Sequence, residues 1–187
     1  MPRIRPVEPP YEPATGALLE SMMPPGVPPI GLFRTFARNP SMAGAMRGWG
    51  GYALSADLSL SLRERELVIN RVCARCGCEY EWGVHIAFFA ARAELTPEQI
   101  TSITHGSPAD PCWTEAREIA LLRAVDELHD SATISDELWV GLANCFDEAA
   151  LLDLLMVSGW YHAISYAANG AHVELEPGAP RFADVRP

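Results

Sequence analysis

After residue 29, apolar positions recur every three or four residues over most of the chain, and nowhere do they alternate in twos for a useful length. That pattern predicts an all-α domain. Ser41 is placed to cap a helix running to about Leu58. Ser61 is placed to cap a second, with Glu64 completing a capping box and Leu67, Val68 and Val72 on its apolar side. Gly77 is expected to break that helix before Tyr80. The segment 80–93 then carries Trp82, Ile86 and Phe89 as one stripe at helical spacing and leaves Glu81, His85 and Arg92 on another flank. Thr96-Pro97-Glu98-Gln99 is a helix start, with a cap residue followed by proline at the first helical position. Residues 106–111 read as a loop, followed by a helix from about Trp113 to His129. Ser135 and Asp147 precede two more helices, the second reaching roughly Asn169.

The two ends break this rhythm. Nine prolines fall in the first 29 residues, which excludes regular helix or central strand there except for a short helix between Thr15 and Met23. The rest reads as an extended surface arm, on this chain or a neighbouring subunit, or as a partly disordered tail. Pro177, Gly178 and Pro180 mark the end as loop. The expected organisation is an arm at 1–29, a helical domain at 30–175 and a tail at 176–187.

Composition narrows the function. With 187 residues, 49% of them hydrophobic, the chain has the size of one domain and the means to fill a core. No run of about eighteen apolar residues is present, so no membrane association is expected. The opening Met1-Pro2-Arg3-Ile4-Arg5-Pro6 lacks the apolar stretch of a secretory signal. Together with an odd count of five cysteines, this points to a reducing, cytoplasmic setting. A net charge of -10 repels a phosphate backbone, so nucleic acid is not an expected partner. A small anionic substrate needs a local cationic patch, and Arg63, Arg65, Arg71 and Arg75 supply one in sequence. Every basic residue is arginine. Without lysine there is no Schiff base, no pyridoxal-phosphate anchor and no Walker lysine.

The chemistry concentrates between Glu66 and His85. Cys78, Tyr80, Glu81, Trp82 and His85 fall within eight positions. On a shared helix Glu81 and His85 lie one turn apart, with Cys78 one turn earlier. Two acids and an imidazole push their proton affinities apart, so that one donates while another accepts. Tyr80 is a candidate donor to a developing oxyanion. The pair Cys73 and Cys76 sits late in its helix, where the dipole does not activate a thiolate, and reads as small buried residues. Cys73, Cys76 and Cys78 have no second ligand pair at zinc-finger spacing. A metal on Glu66, Glu81 and His85 is less expected than hydrogen bonding among them, so no metal and no cofactor are expected. His105 falls in a loop, His129 ends a helix and His162 reads as packing.

These residues resemble the carboxymuconolactone decarboxylase family. The resemblance rests on Arg65-Glu66-Leu67-Val68-Ile69, Tyr80-Glu81-Trp82 and His85, followed by Leu95-Thr96-Pro97-Glu98-Gln99-Ile100. Leu32-Phe33 and Asn39-Pro40 upstream, and Gly159-Trp160-Tyr161-His162 with Asn169 downstream, extend it. The wider superfamily includes the alkyl hydroperoxidase D proteins. Their glutamate and histidine fall on Glu66 and His85, and their first motif cysteine on Cys78. Their second falls on Glu81, so this chain departs from the thiol pair. The resemblance implies an alkyl hydroperoxidase D-like bundle of about six or seven helices. It also implies a homo-oligomer, a trimer or hexamer, with sites near subunit contacts.

Three functions follow as expectations. The first is a cofactor-free carboxy-lyase or proton-transfer enzyme acting on a small cyclic acid or lactone. In it Glu66, Glu81, His85 and Tyr80 act on protons, Arg71 or Arg75 holds a substrate carboxylate, and Trp82 lines the site. The second is a thiol-dependent peroxidase using Cys78. The third is a non-catalytic oligomeric binding module.

Overall fold

The computed structural model describes residues 1–185, and the last two residues of the expected tail lie outside them. Among the described residues there are nine α-helices, one short 3-10 helix and no strand. The helices are α1 (Pro13–Glu20), α2 (Gly31–Phe36), α3 (Pro40–Ala53), α4 (Leu62–Arg75), α5 (Glu79–Phe89), α6 (Pro97–His105), α7 (Ala116–Ser131), α8 (Asp136–Ala143) and α9 (Glu148–Ala171). The count exceeds the expected six or seven, and α1 and the six-residue α2 are the short elements near the proline-rich start. Among the described residues, no helix is long and apolar enough to cross a membrane.

Helix α4 is the axis, packed against α5, α6, α7 and α9. Its start is the predicted capping box: Ser61 accepts from the Glu64 amide while Glu64 accepts from the Ser61 amide. The sequence suggested one apolar side, yet every residue from Arg65 to Cys73 is buried. Four surrounding helices leave the middle of α4 no solvent face, so its polar side chains must find partners inside. Asn70 Nδ2 donates to the Glu66 carbonyl at 2.8 Å. Arg71 makes a two-point pair with Asp126, at 2.7 and 2.8 Å, and donates to the Ile103 and Gly106 carbonyls at the end of α6.

Gly77 ends α4 as expected. Its φ of +59 supplies the left-handed step that other residues resist. The Gly77 amide donates to the Ala74 carbonyl and the Cys78 amide to the Cys73 carbonyl, a complete Schellman closure. The chain turns directly into α5, with Cys78 at its N-cap position. Helix α3 differs slightly from expectation. Asn39 is its cap, accepting from the Met42 amide at 3.1 Å, because Pro40 occupies the first helical position. It also stops at Ala53. The Tyr52 hydroxyl in its last turn and the Ser59 amide beyond it both donate to Asp153 on α9.

Both chain ends pack on this body. The Arg3 amide donates to the Ala171 carbonyl at 2.8 Å, the Val7 amide to the Arg34 carbonyl at 3.1 Å, and the Arg38 guanidinium to the carbonyls of Arg5 and Pro6. The arm therefore lies on its own chain. The tail folds over α5. Phe182 donates its amide to Glu79 and sets its ring 5.0 Å from that of Trp82. Gly83 admits this crossing, since a Cβ there would lie 2.6 Å from the Pro180 carbonyl oxygen.

Candidate active site

Two adjacent helices bring the central acid and the imidazole together. Glu66 lies mid-α4 with no exposed surface, and His85 lies mid-α5. His85 Nδ1 is 2.8 Å from Glu66 Oε2, while Arg65 holds the other Glu66 oxygen at 2.9 Å. On the opposite side of the ring, Nε2 is 3.5 Å from Glu81 Oε1, one turn back on α5. The second Glu81 oxygen is buried and has no partner. The imidazole plane is fixed by the edge of Tyr161 at 5.1 Å and by Phe89 at 5.3 Å. The Arg65 guanidinium rests over that same Phe89 ring.

Burial alone would drive the His85 imidazolium to lose its proton. The charge and hydrogen bond of Glu66, reinforced by Glu81, outweigh it and push the pKa up to about 9. At neutral pH both ring nitrogens therefore carry protons, Nδ1–H committed to Glu66 and Nε2–H turned toward Glu81. Burial, then the two carboxylates, holds the Tyr161 phenol well above its ordinary range, so it stays a hydroxyl.

His85 and Glu81 open onto a cavity of about 250 Å³. Its wall is mostly apolar. Leu32, Phe33 and Phe36 come from α2, Met46 from α3, Val84, Phe88 and Phe89 from α5, and Trp160, Tyr161 and Ile164 from α9. Met22, Met23 and Pro24 close one side from the turn after α1. Glu81 and His85 are the buried charged groups on this wall; Arg47 is exposed at its rim.

The other expected site residues lie elsewhere. Arg71 is consumed by Asp126 and the end of α6, and Arg75 by Asp126 and Asp130; neither is on the cavity wall. Trp82 faces the tail and packs on Phe182. The Tyr80 hydroxyl accepts from the Leu32 amide at 2.9 Å and gives its proton to Glu176 at 2.6 Å, so it is not free to meet an oxyanion in the cavity. Cys78 is fully buried outside the cavity, and burial raises its thiol pKa to about 11. Burial likewise holds the Cys73 thiol well above its ordinary range. Missed from sequence were Tyr161, Arg65 as the second partner of Glu66, and the methionines of the arm. The motif Gly159-Trp160-Tyr161-His162 was the signal for Tyr161. One donor set also escaped notice: Cys76, His129 and His162 converge away from the cavity. Their separations of 53 and 33 residues gave no spacing to recognise.

An all-α body around a buried glutamate and histidine on consecutive helices defines an alkyl hydroperoxidase D-like fold. Residues 40–127, the segment that holds Glu66, Glu81 and His85, match the sequence model of the Carboxymuconolactone decarboxylase family. No protein among those with curated descriptions matches. Among solved structures, an uncharacterized peroxidase-related protein from Silicibacter sp. TM1040 superposes with a TM-score of 0.79 at 17% identity, covering 96% of both chains. The debrominase Bmp8 superposes at 0.75 and 14% identity, covering 92% of this chain and 91% of its own; it has also been solved, as a variant, with 2,3,4-tribromopyrrole. A protein of unknown function from Agrobacterium tumefaciens, provisionally described as an antioxidant-defence AhpD, superposes at 0.68 and 19% identity, covering 76% of this chain and 95% of its own. At these identities the likeness is one of fold.

Proposed function

We propose that the protein is a cofactor-free acid–base enzyme of the carboxymuconolactone decarboxylase type, acting on a small cyclic acid or lactone. One observation carries this reading: a protonated imidazole and the carboxylate residue one turn before it, His85 and Glu81, line one mostly apolar cavity. In a decarboxylation, the electron pair of the breaking C–C bond enters a conjugated enolate as carbon dioxide leaves. His85 then delivers its Nε2 proton to carbon and becomes a neutral imidazole, its Nδ1–H still held by Glu66, whose charge favours the return of a proton from solvent to restore the imidazolium. Glu81 orients that nitrogen, or takes a proton where the reaction is an isomerisation. The apolar wall favours a ring over an extended polar chain, and a substrate carboxylate has Arg47 at the rim to meet it.

The peroxidase-related proteins that share the fold support a thiol-dependent alternative on Cys78. The buried sulfur, with its raised pKa, favours it less than the acid–base reading. The same cavity also serves a non-catalytic binding module. Assembly with further copies of the chain is part of the proposal, supported by exposed Val140 on α8 and by exposed Leu152 and Met156 one turn apart on α9. A reducing, cytoplasmic setting fits five free cysteines.

The test is to incubate the protein in D2O with a panel of small cyclic carboxylic acids and lactones. NMR follows deuterium entering carbon and the release of carbon dioxide. His85→Gln should lower turnover by about 100-fold or more, the usual share of a proton donor. Turnover that survives His85→Gln but not Cys78→Ser would replace this reading with the thiol one. Tight ligand retention in native mass spectrometry without any turnover would leave a binding module.

A further inference from the structure

We propose that Cys76, His129 and His162 form a binding site for one divalent transition-metal ion of the zinc class. The three side chains come from separate elements. Cys76 is the C-cap of α4, His129 lies in the last turn of α7 and His162 sits midway along α9. Cys76 Sγ is 4.0 Å from His129 Nδ1, and His129 Nδ1 is 3.0 Å from His162 Nε2. All three donor atoms lie within 4.8 Å of one another. Tetrahedral zinc, with bonds of about 2.0 Å to nitrogen and about 2.3 Å to sulfur, sets its ligands about 3.3 to 3.6 Å apart. The two separations of 3.0 and 4.0 Å straddle that spacing, and side-chain rotation at these half-buried positions closes the third, which is no more than 4.8 Å.

The surroundings are arranged for ligation. His162 Nδ1 is 2.9 Å from the Ser158 carbonyl oxygen one turn back, so its N–H donates there and the lone pair of Nε2 points into the cluster. That is the outer hydrogen bond which orients a metal-binding histidine. Cys76 is held in place by the left-handed Gly77 that follows it and by Asn169, whose Nδ2 donates to the Cys76 carbonyl at 3.0 Å. The neighbouring Arg75 guanidinium is paired with Asp126 and Asp130, which reduces its repulsion of a cation. All three ligands are half-buried, so an ion has a path in and a fourth position stays open to water. One thiolate and two imidazoles select zinc, cobalt or nickel over magnesium and calcium. None of the three lines the cavity of His85, and only Cys76 falls inside the family segment. Bound there, the ion ties the ends of α4 and α7 to α9.

The experiment is a cobalt titration of chelator-treated, reduced full-length protein, followed by zinc. We expect one Co²⁺ per chain, an intense tetrahedral d–d spectrum, a sulfur-to-cobalt charge-transfer band, and displacement of both by zinc. The band should persist in Cys112→Ser/Cys145→Ser, which removes the other half-buried thiols, and vanish in Cys76→Ser. His162→Gln should weaken binding at least about 10-fold, the scale on which even outer partners of a metal act. Zinc should raise the Tm of the wild type and not of Cys76→Ser/His162→Gln. Wild-type protein with no cobalt spectrum at micromolar metal, a weak six-coordinate spectrum, or affinity unchanged in the double variant overturns the proposal. The wild-type spectrum decides the matter even where a variant fails to fold.

Discussion

His85 Nδ1 and Glu66 Oε2 meet at 2.8 Å between two helices, and the glutamate has no exposed surface at all. A carboxylate so placed survives only because Arg65 and His85 divide its two oxygens between them. The arrangement governs both the proton affinity of the imidazole and the cohesion of α4 with α5.

Stability should therefore fall on the alkaline side. Burial opposes the His85 charge, and Glu66 with Glu81 overrides it, raising the pKa from 6.5 to about 9. A raised histidine pKa contributes stability that is complete below about 6.5 and is lost as pH climbs through about 9. The separation amounts to about 3 kcal/mol. Denaturant unfolding at about pH 6 and about pH 10 should show this loss in the wild type, and His85→Gln should lack it. Equal pH dependence in the two proteins removes the pair from the account.

Replacing Glu66 distinguishes charge from hydrogen bonding. Glu66→Ala strands Arg65 and His85 in the interior and should cost about 3–5 kcal/mol, measured by chemical denaturation. Glu66→Gln keeps an acceptor for Nδ1–H but removes the charge that outweighs burial, so the NMR titration midpoint of His85 should drop below its wild-type value. An unmoved midpoint means Glu81 alone sets the proton affinity.

The cysteines should divide by burial. Cys73 and Cys78 are fully enclosed, while Cys76, Cys112 and Cys145 are half-buried. Alkylation of native protein, mapped by peptide mass spectrometry, should label the second group and spare the first until denaturant is added. Rapid labelling of Cys78 would restore the thiol reading of the site.

Gly83 should be the contact that admits the tail against α5. An alanine methyl there meets the Pro180 carbonyl oxygen at 2.6 Å, and backbone yields poorly. Gly83→Ala should cost about 1–3 kcal/mol and raise hydrogen exchange across residues 179–182 without changing the His85 titration.

Much of this was legible in the sequence because it is local. The boxes at Ser61 and Thr96, the caps at Ser135 and Asp147 and the break at Gly77 are each written within a few residues, and each stands where it was read. The nineteen-residue link between Glu66 and His85 was equally visible, since a fixed motif carries it. What escaped depended on tertiary neighbours. Arg71 looks like a surface cation until α6 and α7 are placed around it. Tyr80 looks free until Glu176, 96 residues on, claims its proton. Met22 and Met23 reach the cavity by a fold of the arm that no periodicity announces.

The cavity has two kinds of wall. Its reactive groups stand on α5, anchored to α4 in the fully enclosed centre, whereas Met22, Met23, Pro24 and Met46 come from the thinly packed margin formed by the arm and α3. Substituting those margin residues reshapes the space offered to a guest while leaving the proton-bearing apparatus in register. On the acid–base reading proposed above, selectivity is thus open to retuning one methionine at a time, independently of reactivity.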